Sequence, residues 1–170
     1  MTPPDLDVDK FISLLNEDLG TEYQSIVQYT NHIATISGAE FSSIVGELKT
    51  HLAQELSHAE ILATQVSFLG GEPTTTVPRV TTNSDSRQAL GADLRLETEQ
   101  LERYRSRFGQ ANELNLADVA EALRPLLEQI QNNAAQTKSG MVIQPVTANT
   151  AKTTTAKIAR ASPQPGPEVC

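Results

Sequence analysis

The sequence predicts an all-α protein: a four-helix bundle of two antiparallel hairpins joined by one long crossover. Three observations carry this. Apolar residues recur every three or four positions in four long segments. Breaker clusters rich in Gly, Pro, Ser and Thr separate those segments. The first and third breaks are short and the second is long, which makes a hairpin of each flanking pair and sends the chain across between them.

The first helix is expected from Asp7 to Ile36, with its apolar stripe at Phe11, Leu15, Leu19, Ile26, Tyr29, Ile33 and Ile36 and a stop at Ser37-Gly38. The second is expected from Ala39 to Leu69, on the stripe Phe41, Ile44, Leu48, Leu52, Ala59, Leu62, Val66 and Leu69. It ends at Gly70-Gly71-Glu72-Pro73, where glycine caps the helix and proline cannot continue it. Thr74 to Ser84, with Pro78, reads as an extended crossover. The third helix is expected from Asp85 to Phe108, ending at Gly109, on Leu90, Leu94, Leu101, Tyr104 and Phe108. The fourth is expected from Leu114 to Thr137, on Leu116, Val119, Leu123, Leu126, Leu127, Ile130 and Ala134, with Pro125 inside it as a source of a kink. The bundle thus spans residues 7–138. Residues 139–170, rich in Thr, Ala, Lys and Pro and without apolar period, read as a disordered tail.

Composition narrows the function. The chain of 170 residues is one domain's worth, 38% apolar and only 4% aromatic, which suits an aliphatic helical core. No apolar run is long enough to span a membrane. The acidic start Met1-Thr2-Pro3-Pro4-Asp5 leads into no apolar stretch and is not read as a secretory signal. Cys170 is the single cysteine, so a disulfide framework is excluded and a cytoplasmic setting is expected. Net charge is −8. Residues 138–170 hold Lys138, Lys152, Lys157 and Arg160 against Glu168, giving +3 and leaving −11 on the rest. An acidic body disfavours nucleic acid and suits cations.

Three carboxylates sit where apolar residues belong. Glu22 falls near the middle of the first stripe, Glu55 inside the second and Glu97 near the middle of the third, with His58 on the edge of the second, one turn beyond Glu55. A buried carboxylate without a partner is costly or takes up a proton. For a single glutamate, a hydrogen-bonded or arginine-paired residue explains the position. Three at one level, with a Glu-x-x-His pair, point to a bound cation, and carboxylate with imidazole suits Fe, Mn or Zn better than Ca or Mg. His51 reads as a surface residue paired with Glu47 one turn back, or else as a neighbour of the site.

The motifs resemble bacterioferritin, within the ferritin-like superfamily. The carriers are Asn16-Glu17-Asp18-Leu19 leading to Glu22, then Ile26-Val27-Gln28-Tyr29 with His32, Glu55-Leu56-Ser57-His58-Ala59, Phe68-Leu69-Gly70-Gly71-Glu72-Pro73, and Ala92-Asp93-Leu94-Arg95-Leu96-Glu97. The resemblance covers roughly residues 11–135 and is stronger in the first half. It implies a di-iron carboxylate site holding one or two irons per chain. In it Glu22 would be the terminal carboxylate of the first iron, Glu55 a bridging carboxylate, His58 the imidazole of the first iron and Glu97 the terminal carboxylate of the second. Tyr29 would stand beside the centre as the catalytic tyrosine. It also implies oxidation of ferrous iron by dioxygen or peroxide, iron storage, and assembly into a homo-oligomer, either a dimer or a cage.

Two departures qualify that picture. The second Glu-x-x-His pair of a full di-iron bundle would fall at Leu126 and Gln129, and neither is a ligand of the required kind. Glu128 is near in sequence but faces outward. Leu56 stands where bacterioferritins carry a haem-binding Met, so no haem is expected. Two functions therefore fit the residues. One is an iron-binding protein with weak ferroxidase activity at a partial site. The other is a catalytically silent scaffold or cage subunit that binds no metal, with its buried glutamates protonated or paired with arginines such as Arg95 or Arg124.

Overall fold

The computed structural model describes residues 6–141. Four helices follow one another: α1 (Val8–Thr35), α2 (Ser42–Phe68), α3 (Ser86–Glu113) and α4 (Ala117–Met141), with a short 3-10 turn, Ala39–Phe41, ahead of α2. There is no strand among the described residues. None of these helices is long and apolar enough to cross a membrane. The tail expected from residue 139 lies, past Met141, outside the described residues.

Local chemistry sets the helix ends. The Asp7 carboxylate caps α1 by accepting from the Lys10 N–H at 2.8 Å, and Asp85 caps α3 from the Gln88 N–H at 2.8 Å. α2 closes on Gly70, at φ 86°, with the Gly71 N–H returning to the Val66 carbonyl at 2.9 Å. The third helix does not stop at Phe108. It runs through Gly109 to Glu113, because the turn is made at Asn115 instead. Asn115 takes φ 59°, and the Leu116 N–H reaches the Ala111 carbonyl at 2.8 Å. The fourth helix accordingly begins at Ala117 rather than Leu114. It continues on both sides of Pro125, whose position and that of Glu121, one turn earlier, are exposed, so water can serve the carbonyl that proline leaves unpaired.

Cross-helix pairs fix the directions. Asp18 meets Arg107 and His32 meets Asp93, so α1 and α3 are antiparallel. His51 meets Gln136 and His58 meets Gln129, so α2 and α4 are antiparallel. α1 also packs on α2, and α3 on α4. α2 and α3 therefore point the same way, and the chain between them must travel the length of the bundle. It does so along α1. The Asn16 side chain donates to the Glu72 carbonyl at 3.0 Å and accepts from the Thr74 N–H at 2.8 Å. Gln28 Oε1 accepts from the Thr81 N–H at 3.1 Å. The crossover passes Gly20 at ordinary contact distance, a Cβ there standing 3.4 Å from the Thr76 carbonyl oxygen.

The apolar core is in two parts. One, around Phe11, Leu15, Leu62, Val66 and Leu123, fills one end; the other, around Tyr29, Phe41, Ile44, Leu48 and Leu90, fills the opposite end. The candidate site lies between them.

Two glycines should respond with opposite sign. A Cβ on Gly71 would stand 2.5 Å from Ile12 Cγ2 and 3.1 Å from Val66 Cγ1, whereas one on Gly109 meets nothing within 4 Å. Gly71→Ala is expected to lose about 1–3 kcal/mol through overpacking. Gly109→Ala, in an exposed helix interior, is expected to gain about 0.5–1 kcal/mol. Urea unfolding of both variants checks this, and equal shifts would contradict it.

Candidate metal centre

The site is built on inward-facing seams with alternating spacings of three and four residues. On α2 the seam is Ile44, Leu48, His51, Glu55, His58 and Leu62, all buried. On α1 it takes in Glu22, Ser25, Tyr29 and His32, and on α3 Asp93, Glu97, Gln100 and Tyr104, again all buried. Polar side chains therefore occupy core positions wherever the seams meet at mid-bundle.

Glu22, Glu55 and His58 come together. Each offers a ligand atom, and the three atoms lie within 4.8 Å of one another. His58 Nδ1 is 3.0 Å from Glu55 Oε2 and 3.8 Å from Glu22 Oε2. Its Nε2 is 2.7 Å from the Gln129 amide oxygen. Glu22 Oε1 accepts from the Tyr104 hydroxyl and, at 3.1 Å, from Gln100 Nε2. Glu97 lies beside this group with different partners. Its Oε1 accepts from the Tyr29 hydroxyl at 2.8 Å and faces His51 Nδ1 at 3.1 Å. Three carboxylate oxygens, Glu22 Oε2, Glu55 Oε1 and Glu97 Oε2, are buried with no hydrogen-bond partner. Such groups are rare in folded proteins.

Protons compensate part of this charge. Burial, followed by the negative charge of Glu55, pushes Glu22 well above the usual carboxylate range, so it holds its proton. Burial opposes the charged form of His58, but the adjoining Glu22 and Glu55 carboxylates outweigh it and raise the ring to about 10. Burial likewise opposes ionisation of Glu55, yet the adjoining Glu22 carboxyl and His58 ring win and lower it. The group is then neutral: Glu22 protonated, Glu55 charged, His58 charged. A divalent cation displacing the Glu22 and His58 protons would leave the buried charge unchanged. Tyr29 is also driven upward, by burial and then by Glu97, and keeps its proton as a donor.

Several expectations are corrected here. His51 is not a surface partner of Glu47. It is fully buried, between Glu97 and the Gln136 amide oxygen at 2.9 Å, because it lies on the same seam as Glu55. Arg95 and Arg124 do not pair with the buried glutamates: Arg95 is exposed, and Arg124 bonds the exposed Glu121 at 2.7 Å. The buried acid that meets arginine is Asp18, 2.8 Å from Arg107 Nε. Leu126 is buried in the apolar core, and Gln129 reaches the site as a partner of His58. The inward residues of α4 around this level, Leu126, Ile130 and Asn133, include no acid and no histidine. His32 closes the motif that begins Ile26-Val27-Gln28-Tyr29. It is buried, with Nδ1 2.8 and 2.9 Å from the two Asp93 oxygens, and Gln28 donates to Asp93 at 2.8 Å. The seam spacing was the available signal for His51, His32 and Asp93.

Residues 12–140 match the family model of the ferritin-like domain. The chain belongs to the ferritin-like family. Over 66 residues it is 33% identical to a bacterioferritin of Desulfovibrio desulfuricans, a stretch of 39% of this chain and 37% of that protein. The match thus spans little more than a third of that relative. The ferritin-like chain also superposes, with a TM-score of 0.76 and 31% identity, on a crystal structure described as ferritin-like diiron-carboxylate proteins from Bacillus anthracis. That likeness covers 81% of this chain and 99% of the other.

The raised His58 has a consequence for the metal-free protein. A group raised on folding stabilises fully below its unfolded value, 6.5 for His58, and that stability is lost as pH rises through the folded value of about 10. The unfolding midpoint of the metal-free chain is expected to fall between pH 7 and 10, and His58→Gln should flatten that slope. Identical slopes in the two proteins would show that the ring is not held protonated.

Proposed function

We propose that this ferritin-like chain binds ferrous iron at Glu22, Glu55 and His58, with Glu97 beside them, and serves iron storage with slow iron oxidation. The observation that carries this is the set of three buried, unpartnered carboxylate oxygens on α1, α2 and α3, two of them in the Glu22–Glu55–His58 cluster. Carboxylate and imidazole together favour a first-row transition ion over calcium or magnesium. Fully occupied di-iron bundles draw ligands from all four helices, so an α4 whose inward residues at this level, Leu126, Ile130 and Asn133, include no acid or histidine argues for slow turnover. When bound, iron would supply the one-electron chemistry by which dioxygen or peroxide is reduced. Tyr29 is the catalytic candidate from the protein, a phenol hydrogen-bonded to Glu97 and positioned to move a proton or electron at its hydroxyl. Haem has no part in this reading, since Leu56 offers no sulfur ligand and lies 57% exposed on α2. Membership of the ferritin-like family supports assembly into a homo-oligomer, and Leu56, Phe68 and Val27 are exposed apolar residues open to such a contact.

A second reading, a silent scaffold, is favoured by one feature. The His58–Glu55 ion pair already compensates part of the buried charge without metal. Aerobic loading with ferrous iron, followed by elemental analysis, separates the two. One to two irons per chain are expected, with at least about a tenfold loss of affinity in Glu55→Gln and iron-dependent oxygen uptake above buffer. No retained iron, and a variant indistinguishable from the parent, would establish the scaffold.

A further inference from the structure

We infer that the centre has a second cation seat, and that its imidazole comes from His51 of α2, with Glu97 as carboxylate and Glu55 between the two seats. The inference deepens the iron-binding reading and rests on it. Four repetitions in the structure support it.

His51 and His58 are seven residues apart on one buried seam of α2, with Glu55 between them. Their surroundings repeat. Nδ1 of each faces a carboxylate, Glu97 at 3.1 Å for His51 and Glu55 at 3.0 Å for His58. Nε2 of each meets a glutamine amide oxygen from α4, Gln136 at 2.9 Å and Gln129 at 2.7 Å, and these glutamines are also seven apart. An amide oxygen only accepts, so Nε2 carries the hydrogen in both rings. That leaves Nδ1 as the nitrogen able to bind a cation once its proton leaves.

α1 and α3 show the same duplication. Glu22 and Tyr29 are seven apart on α1, and Glu97 and Tyr104 are seven apart on α3. Because these helices are antiparallel, the Tyr104 hydroxyl donates to Glu22 and the Tyr29 hydroxyl donates to Glu97. The two terminal carboxylates are therefore equivalent, and each keeps one buried oxygen without a partner. Glu55 also keeps one. If Glu22 and His58 serve one ion, the same logic gives Glu97 and His51 the other. The asymmetry lies in α2 and α4: α2 carries both imidazoles, and α4 carries both glutamines that hold them.

The test is titration of the full-length, metal-free chain with Co²⁺, which stays divalent in air, read by visible absorption and calorimetry. Two Co²⁺ per chain are expected for the parent. One is expected for His51→Gln, and one for His58→Gln. Gln136→Leu alters an exposed side chain and so leaves the fold intact even if His51→Gln fails to fold. It should weaken one of the two sites by about 10–100-fold, the usual effect of losing a ligand's supporting hydrogen bond. A single Co²⁺ in the parent, with unchanged affinity in His51→Gln and Gln136→Leu, would overturn the second seat while leaving the first. Two ions with unchanged affinities in both variants would also overturn the role of His51. No Co²⁺ in the parent would bring down the iron-binding reading with it.

Discussion

Glu22, Glu55 and Glu97 are fully buried at mid-bundle, between two apolar clusters, and cannot all be ionised there without compensation. The surrounding structure answers that constraint. His58 supplies a positive charge to Glu55, Glu22 retains a proton, and tyrosine hydroxyls donate to Glu22 and Glu97. The compensation is incomplete, since one oxygen of each carboxylate is left without a partner. An apolar layer would close the gap between the two clusters with none of this cost. Retaining acids there is understandable where a cation is to be exchanged against protons.

The topology delivers the carboxylates to one level. With α1 and α3 antiparallel, a glutamate and a tyrosine seven residues apart on each can satisfy one another reciprocally. The crossover makes that direction possible, because α2 and α3 run parallel only if the chain travels back along α1. Asn16 and Gln28 hold it there through side-chain bonds to its backbone. Gln28 also donates to Asp93, which bonds His32, so the crossover is tied to the polar layer through a chain of buried hydrogen bonds.

The helices divide the work unequally. α1 and α3 are near equivalents, while α2 holds every imidazole of the central group and α4 holds none. The inward positions Leu126 and Ile130 make α4 mainly a packing element, and its contribution to the site is indirect, through Gln129 and Gln136. The chain is a member of the ferritin-like family, similar to a ferritin-like diiron-carboxylate structure, and its central buried glutamates and imidazoles come from three helices.

The sequence by itself determined the four helices, the short-long-short connections and the three glutamates set in apolar stripes. These follow from local periodicity and turn chemistry, which act over a few residues and need no partner helix. It also marked Glu55 and His58 as a pair, because a spacing of three fixes their common direction on one helix. The end of α3 at Glu113 rather than Phe108, with the turn at Asn115 rather than Gly109, lay in backbone conformation, which composition does not display. Tertiary structure alone decided that His51 is interior, that Glu97 pairs with Tyr29 and His51 while Glu22 joins Glu55 and His58, and that Gln129 and Gln136 back the two imidazoles. Those relations depend on the relative rotation and register of helices tens of residues apart. A stripe read on one helix leaves that rotation free by most of a residue, enough to turn a seam position such as His51 outward.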